Sequence, residues 1–233
     1  MPDHAILTAA AHAGTRIRRE RSAALGDAQM SCLIVPDEFR RVQSEYLILF
    51  RRNLADGSTL ALAMFGFEND ENLYLADGRW DARYVPLAMA IQPLLIGASA
   101  QGPQVHIDMA SPRIGDGDLL FDPDGQPSPR LAAMIEQLGA LDAGYRDSAG
   151  FFAALDRHEL LEPLTLEVPL DDGSVNRLVG FHVIDEDRLR GLTASALDDL
   201  HRDGHLLPIF MALASQGNLP ALIARKNATL AHG

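Results

Sequence analysis

Tyr46-Leu47-Ile48-Leu49-Phe50-Arg51 and Thr59-Leu60-Ala61-Leu62-Ala63-Met64-Phe65-Gly66-Phe67 flank the segment Asn53-Leu54-Ala55-Asp56-Gly57-Ser58. Two apolar runs of strand length around an Asp-Gly turn predict a β-hairpin, because these turn residues tolerate the positive φ a tight reversal needs. Leu73 to Ala76, followed by Asp77-Gly78, predicts a third strand and makes residues 46–76 an antiparallel meander. Upstream, Met30-Ser31-Cys32-Leu33-Ile34-Val35 has the apolar character of a strand, and Pro36-Asp37 starts a short helix to Ser44. Downstream, Leu164–Leu170 and Val175–Ile184 predict a second hairpin around Asp171-Asp172-Gly173.

Between and after the hairpins the pattern turns helical. A helix is expected to start near Pro86, since proline suits a first helical turn. Val105–Met109 and Asp118–Phe121 are short strands. Pro129–Leu141 and Ser148–Leu160 predict two separate helices, the second with Phe151, Phe152, Leu155 and Leu160 at helical spacing. Asp185–Leu192 and Ala194–Arg202 are helical, and Leu206–Thr229 is helical in pieces broken at Gly217 and Pro220. The expected fold is α+β: one compact domain of antiparallel hairpins packed by helices over 29–233, with Trp80 near its centre. Residues 1–28, rich in Ala and Arg, are expected to form an N-terminal arm.

At 233 residues and 47% hydrophobic, the chain can build a substantial core. Its net charge of -12 is uneven: residues 1–52 carry six acids and eight arginines, and the remainder carries 26 acids and 12 bases. An acidic body argues against nucleic acid as a partner, because phosphate backbones need clustered Lys and Arg. The cluster Arg16, Arg18, Arg19 and Arg21 is read as a solvated patch, or as a docking surface for an acidic partner. No uninterrupted apolar run reaches the roughly 18 residues of a membrane span, and no secretory signal is visible. The expected setting is soluble and cytoplasmic. Cys32 is the only cysteine, so no internal disulfide forms, and Lys226 is the only lysine.

Complete catalytic motifs are missing: the sequence holds no Gly-x-Ser-x-Gly, no Walker A and no His-Glu-x-x-His. Three weaker constellations remain. His201 and His205 stand four apart, but Gly204 between them ends a helix. His106 and Asp108 would share a strand face, and with His182 they form an alternative non-haem iron site and an enzyme reading. Asp116, Asp118, Asp122 and Asp124 crowd together as calcium ligands or, more simply, as acidic turns. No cofactor is expected. The aromatic segment from Asn72 to Pro86 is the preferred binding site. Asn72, Trp80, Arg83, Tyr84 and Pro86 would grip a protein, a peptide or a carboxylate-bearing ligand, with Arg83 the local positive spot.

Across nearly its whole length the chain resembles the SapC family of bacterial proteins, named after a surface-layer locus. The resemblance rests on Val35-Pro36-Asp37-Glu38-Phe39 with Tyr46-Leu47-Ile48-Leu49-Phe50, and on Gly66-Phe67-Glu68 through Asn72-Leu73-Tyr74, Gly78, Trp80, Tyr84 and Pro86. Leu178-Val179-Gly180-Phe181 with Asp185-Glu186, and Gly204-His205-Leu206 with Ser215 and Asn218-Leu219, complete it. Where the family usually has paired arginines and Tyr-Pro-Phe, this sequence has Ala90-Ile91-Gln92-Pro93-Leu94. The resemblance implies an accessory or surface-layer role beside TonB-dependent receptors, flavin-dependent halogenase-like proteins or a peptide-modification system. It carries no catalytic residues over, and self-association is left open.

Overall fold

The computed structural model describes residues 4–53, 55–99 and 102–232. In chain order they form β1 (His4–Ile6), α1 (Ala9–His12), β2 (Arg16–Ile17), β3 (Ser31–Ile34), α2 (Phe39–Val42), β4 (Leu47–Arg52) and β5 (Thr59–Met64). There follow β6 (Leu75–Ala76), β7 (Arg79–Trp80), α3 (Leu87–Ala90), β8 (Leu94–Ser99), β9 (Gly102–Asp108), β10 (Asp118–Leu119) and α4 (Pro129–Arg157). The chain continues through β11 (Leu161–Pro169), β12 (Val175–Ile184), α5 (Glu186–Arg190), α6 (Ala194–Arg202), α7 (Leu206–Ser215) and α8 (Leu219–His232). Helices and antiparallel sheets make the fold α+β.

The residues gather into two compact units. The first comprises 1–28, 75–81 and 87–143; the second comprises 29–74, 82–86 and 144–233. Residues 1–28, expected as an arm, are counted within the first unit. In the first unit β1 pairs with β9, and β2 with β10, so the N-terminal residues supply sheet edges. Alternation explains why: Ile17 is fully buried, and it joins a core with Leu94, Ile107, Leu120, Leu131 and Met134. The arginines of this stretch answer the acidic turns. Arg19 and Arg130 pair with Asp118, and Arg16 donates to the Gly117 carbonyl. The two guanidinium hydrogen bonds lead in pulling the Asp118 carboxyl down to about 2. Asp122 accepts from the backbone of Asp124 and Gln126 as a turn residue. Between the basic cluster and the suspected calcium ligands, the side-chain pair formed is Arg19 with Asp118.

Deeper in this unit Asp27 and Arg113 are almost fully buried and form an ion pair. Arg21 donates to the same Asp27 oxygen at 3.0 Å, and the Ser22 amide donates to the other at 2.9 Å. Gln92, in the segment that departs from the family pattern, has its carbonyl oxygen 3.5 Å from Arg113 Nε.

The second unit is built on a five-stranded sheet of order β11-β12-β4-β5-β3. The β4–β5 hairpin has the expected register, Leu47 opposite Met64 through Arg52 opposite Thr59. The meander does not continue: the far side of β5 is taken by β3, while β6 pairs with β7 in a separate ribbon of the first unit. Trp80 therefore sits half-buried on β7 opposite Leu75, away from the expected central position. Helix α7 covers the sheet through Ile209, Ala212 and Ser215, and the Ser215 hydroxyl accepts from the Ile48 amide at 3.0 Å. Phe39, Phe50 and Phe151 stack edge-on beneath it.

Two helical expectations change. Pro129–Arg157 is one helix, because Gly139 and Gly144 are tolerated inside it. Gly144 is there for closeness: a Cβ would fall 2.7 Å from Val35 Cγ2. Leu206–Ala231 likewise runs as one helical rod with a 3-10 turn at Gln216–Asn218. Pro220 lies in the first turn of α8, where a missing amide is harmless. This rod has a mean hydropathy of 1.5 over its most apolar window, which by length and composition only is enough to cross a membrane, a test that core helices of soluble proteins also pass. In the fold it buries Ile209, Ala212, Leu222 and Lys226.

Candidate functional site

The residues expected to form a binding site are dispersed in role. Trp80 belongs to the first unit; Asn72, Arg83, Tyr84 and Pro86 belong to the second. Within the second unit the corner Glu45-Tyr46 organises them. Arg83 sets its Nε 3.3 Å from the Glu45 carboxylate, and its backbone amide donates to the same group at 2.9 Å. Tyr74, held by an Asn72 side chain that accepts from its amide, donates its hydroxyl to the Glu45 carbonyl. The Tyr46 hydroxyl donates to the Tyr84 carbonyl, and the Tyr84 hydroxyl donates to Glu38 at 2.7 Å. Pro86 is buried.

The electrostatics follow from this packing. Burial, and next the charge and hydrogen bond of Glu38, push the Tyr84 phenol far above its usual range. Burial also drives Tyr74 up to about 12, against the opposing effect of the Arg225 guanidinium stacked 4.5 Å from its ring. Cys32, wholly buried, has its thiol raised first by burial and then by Glu38, as suits an inert core thiol. Asn72, Arg83 and Tyr84 thus tie a loop to a corner. The positive spot expected at Arg83 is already met by Glu45.

The residues of the iron alternative belong to different units. His106 and Asp108 lie on β9 of the first unit and His182 on β12 of the second. Among the described residues no group of three or more His, Cys, Asp or Glu is placed to hold a metal. His106 packs instead on Gly97, where a Cβ would stand 2.4 Å from the imidazole. His201 ends α6 and His205 precedes α7, with Gly204 between them at φ 77°, so the two do not share a helical face.

A groove that no motif announced lies in the second unit, with a cavity volume of about 350 Å³. Three segments far apart in sequence build it: the 3-10 turn Pro36–Glu38 leading into α2, the Gly144–Phe151 stretch of α4, and the α6–α7 connection with the first turn of α7. Phe151, Pro208 and Met211 give it an apolar floor. The close approach at Gly144 brings α4 against Val35 and sets one wall. His205 stands edge-on to Phe151 at 5.8 Å. Its Nδ1 is buried and has no hydrogen-bond partner. Gly150 leaves the space beside the ring open, the nearest ring atom lying 3.8 Å from where a Cβ would be.

Charge distinguishes the rim. Asp37, Asp147 and Asp203 line the groove with a single opposing cation, Arg40, and all four are exposed. None of the four makes a side-chain ion pair or hydrogen bond with the described residues. Elsewhere in the unit carboxylates are consumed locally, as in Arg190 with Glu186 and Arg202 with Asp198. Free carboxylates around an apolar floor, with an idle imidazole nitrogen, suit a ligand that is both cationic and apolar.

The structure is an α+β protein whose second unit carries an acid-rimmed groove. The family model described as SapC matches residues 7–222 of the chain, so the protein belongs to the SapC family. No curated protein and no solved structure matches it.

Proposed function

We propose that this SapC-family chain is a non-catalytic binding protein whose groove takes a cationic, apolar segment of a protein or peptide partner. The observation that carries the reading is the trio of unpaired carboxylates, Asp37, Asp147 and Asp203, around the Phe151 floor. The floor supplies affinity by apolar burial, and the rim selects charge. Within a cell the partner would be a component of a cell-surface, TonB-dependent uptake or peptide-modification system, met in the cytoplasm. That setting comes from the family resemblance.

The test is a panel of short peptides of matched hydrophobicity and graded charge, screened against the full chain by fluorescence anisotropy. Peptides pairing Arg or Lys with Leu or Phe should bind, and their Glu counterparts should not. Charge-independent binding, or binding unaffected by Asp147→Asn with Asp203→Asn, would refute it. Fractionation of the source cells tests the cytoplasmic setting.

A further inference from the structure

One wall of the groove is a single stretch of α4, and it concentrates its chemistry within about one helical turn. Asp147 and Ser148 are neighbours there, and Phe151 follows Ser148 by three residues, so hydroxyl and ring share a helix face. Ser148 is 6% exposed. Its hydroxyl donates to the Tyr145 carbonyl at 2.6 Å. A carbonyl only accepts, so the hydroxyl proton is committed to it, and what Ser148 can offer a ligand is acceptance alone. The carboxylates of Asp147 and, from the α6–α7 connection, Asp203 are acceptors too. On the α2 side Arg40 stands three residues after Asp37 and offsets its charge. The excess negative charge therefore belongs to the α4 and α6–α7 sides.

We infer that, on the groove reading proposed above, the segment it takes is a chain terminus: the free α-ammonium of a protein or peptide whose first side chain is apolar. An ammonium brings three donors and no acceptor, which complements Asp147, Ser148 and Asp203. The first residue of a chain carries that ammonium and its side chain on one Cα, as close together as Ser148 and Phe151 require. An internal Arg or Lys beside Leu or Phe meets this condition less well, because neighbouring side chains of an extended segment point to opposite faces.

Size and charge agree. A volume of about 350 Å³ is at the small end of ligand sites, which run from roughly 300 to 1,000 Å³, and it suits a terminal residue better than a long stretch of chain. The excess of carboxylates over one guanidinium tells against a free amino acid, whose own carboxylate would meet the acidic rim. Beyond the groove the bound chain has an apolar way out along α7, where Leu207 at the rim and Phe210 one turn further are 54% and 53% exposed.

The probe is the peptide Leu-Phe-Ser-Gly-Ser-Gly as its C-terminal amide, with an uncharged coumarin at the far end, titrated with the full chain up to millimolar and followed by fluorescence anisotropy. Its charge is the α-ammonium alone. N-acetylation removes that charge and should weaken binding at least about tenfold. An α-amine loses its proton near pH ~7.7–8.0, so going from pH 7 to pH 9 should weaken the free-amine peptide about tenfold. An N-acetylated peptide with Arg between two leucines keeps its charge over that range, and controls for titration of Asp37, Arg40, Asp147, Asp203 and His205 in the groove itself. Leucinamide, an amine without a carboxylate, should displace the probe, and leucine should not. Asp147→Asn with Asp203→Asn should weaken the probe about tenfold, and Arg40→Gln should strengthen it about twofold. Circular dichroism checks that each variant keeps its fold. Equal binding of the free and acetylated peptides, a pH dependence no greater than that of the control, or displacement by leucine equal to that by leucinamide would overturn the inference. In that event, binding of the acetylated Arg peptide that still falls in the double Asn variant would leave the groove a cation site without a terminus. No saturable binding of any of these peptides would overturn both.

Discussion

Removing the carboxylate of Asp27 should destabilise the first unit more than any surface change. Asp27 is fully buried and Arg113 is 1% exposed, so the pair has no water to fall back on. In Asp27→Ala the guanidinium of Arg113 stays buried, with Arg21 close by as a like charge. Burial first, and then Arg21, already disfavour the charged form of Arg113 in the intact protein. The Ser22 amide also loses its acceptor. Breaking such a pair costs about 3–5 kcal/mol. For a chain of this size that corresponds to a fall of roughly 6–20 °C in the transition reporting the first unit. Differential scanning calorimetry, with urea unfolding as a second probe, measures it. Asp27→Ala with Arg113→Met removes both charges and should recover a good part of the loss, since the lone buried charge is the main penalty. A loss below about 1 kcal/mol in the single variant, or no recovery in the double, would refute the reasoning.

Other consequences follow from single contacts. The Asp118 carboxyl lies near 2 in the fold against an ordinary 3.8, so its stabilising effect is present above about pH 4 and lost as pH falls through 2. Wild type and Asp118→Asn should therefore differ in urea midpoint at pH 6 and converge at pH 2. Gly144→Ala should destabilise by about 1–3 kcal/mol, because its methyl would stand 2.7 Å from Val35. In the same helix Gly139→Ala meets nothing within 4 Å and should stabilise by roughly 0.5–1 kcal/mol. Thermal melts of the two alanine variants distinguish a helix-propensity effect from a close-packing one.

Much of the fold is legible in the sequence where period and punctuation agree. Leu47–Arg52 and Thr59–Met64 carry the Asp-Gly turn between them, and Leu161–Pro169 with Val175–Ile184 carries Asp171-Asp172-Gly173. Local signals of this kind fix a hairpin but not its neighbours. Nothing near Thr59–Met64 says that its other edge goes to Ser31–Ile34, already passed in the chain. Glycine and proline mislead in the long helices. Gly144 serves close packing, and Pro220 sits where its missing amide costs nothing, yet both resemble breaks. The groove is invisible because its three pieces lie far apart in the chain and share no motif. Asp37 and Asp203 are ordinary helix-flanking acids, and Asp147 an ordinary acid within a helix, until the fold brings them to one rim. In the aromatic segment, Tyr84 donates to Glu38 and the Arg83 amide to Glu45, contacts between distant residues that sequence spacing does not announce. His205 was legible as a residue of interest, but its companion is Phe151 and not His201.

The groove reading is tested most directly by titration calorimetry of the full chain with a hexapeptide of alternating Arg and Leu, at low and high salt. Each exposed carboxylate contributes about 0.2–1 kcal/mol to a cation. Asp147→Asn with Asp203→Asn should therefore weaken binding by roughly two- to thirtyfold, and added salt should narrow that gap. Saturable binding that falls in this way, while the melting temperature stays unchanged, is the expected result. No saturable binding by the wild type, or an affinity indifferent to both substitutions and to salt, would contradict the proposed function.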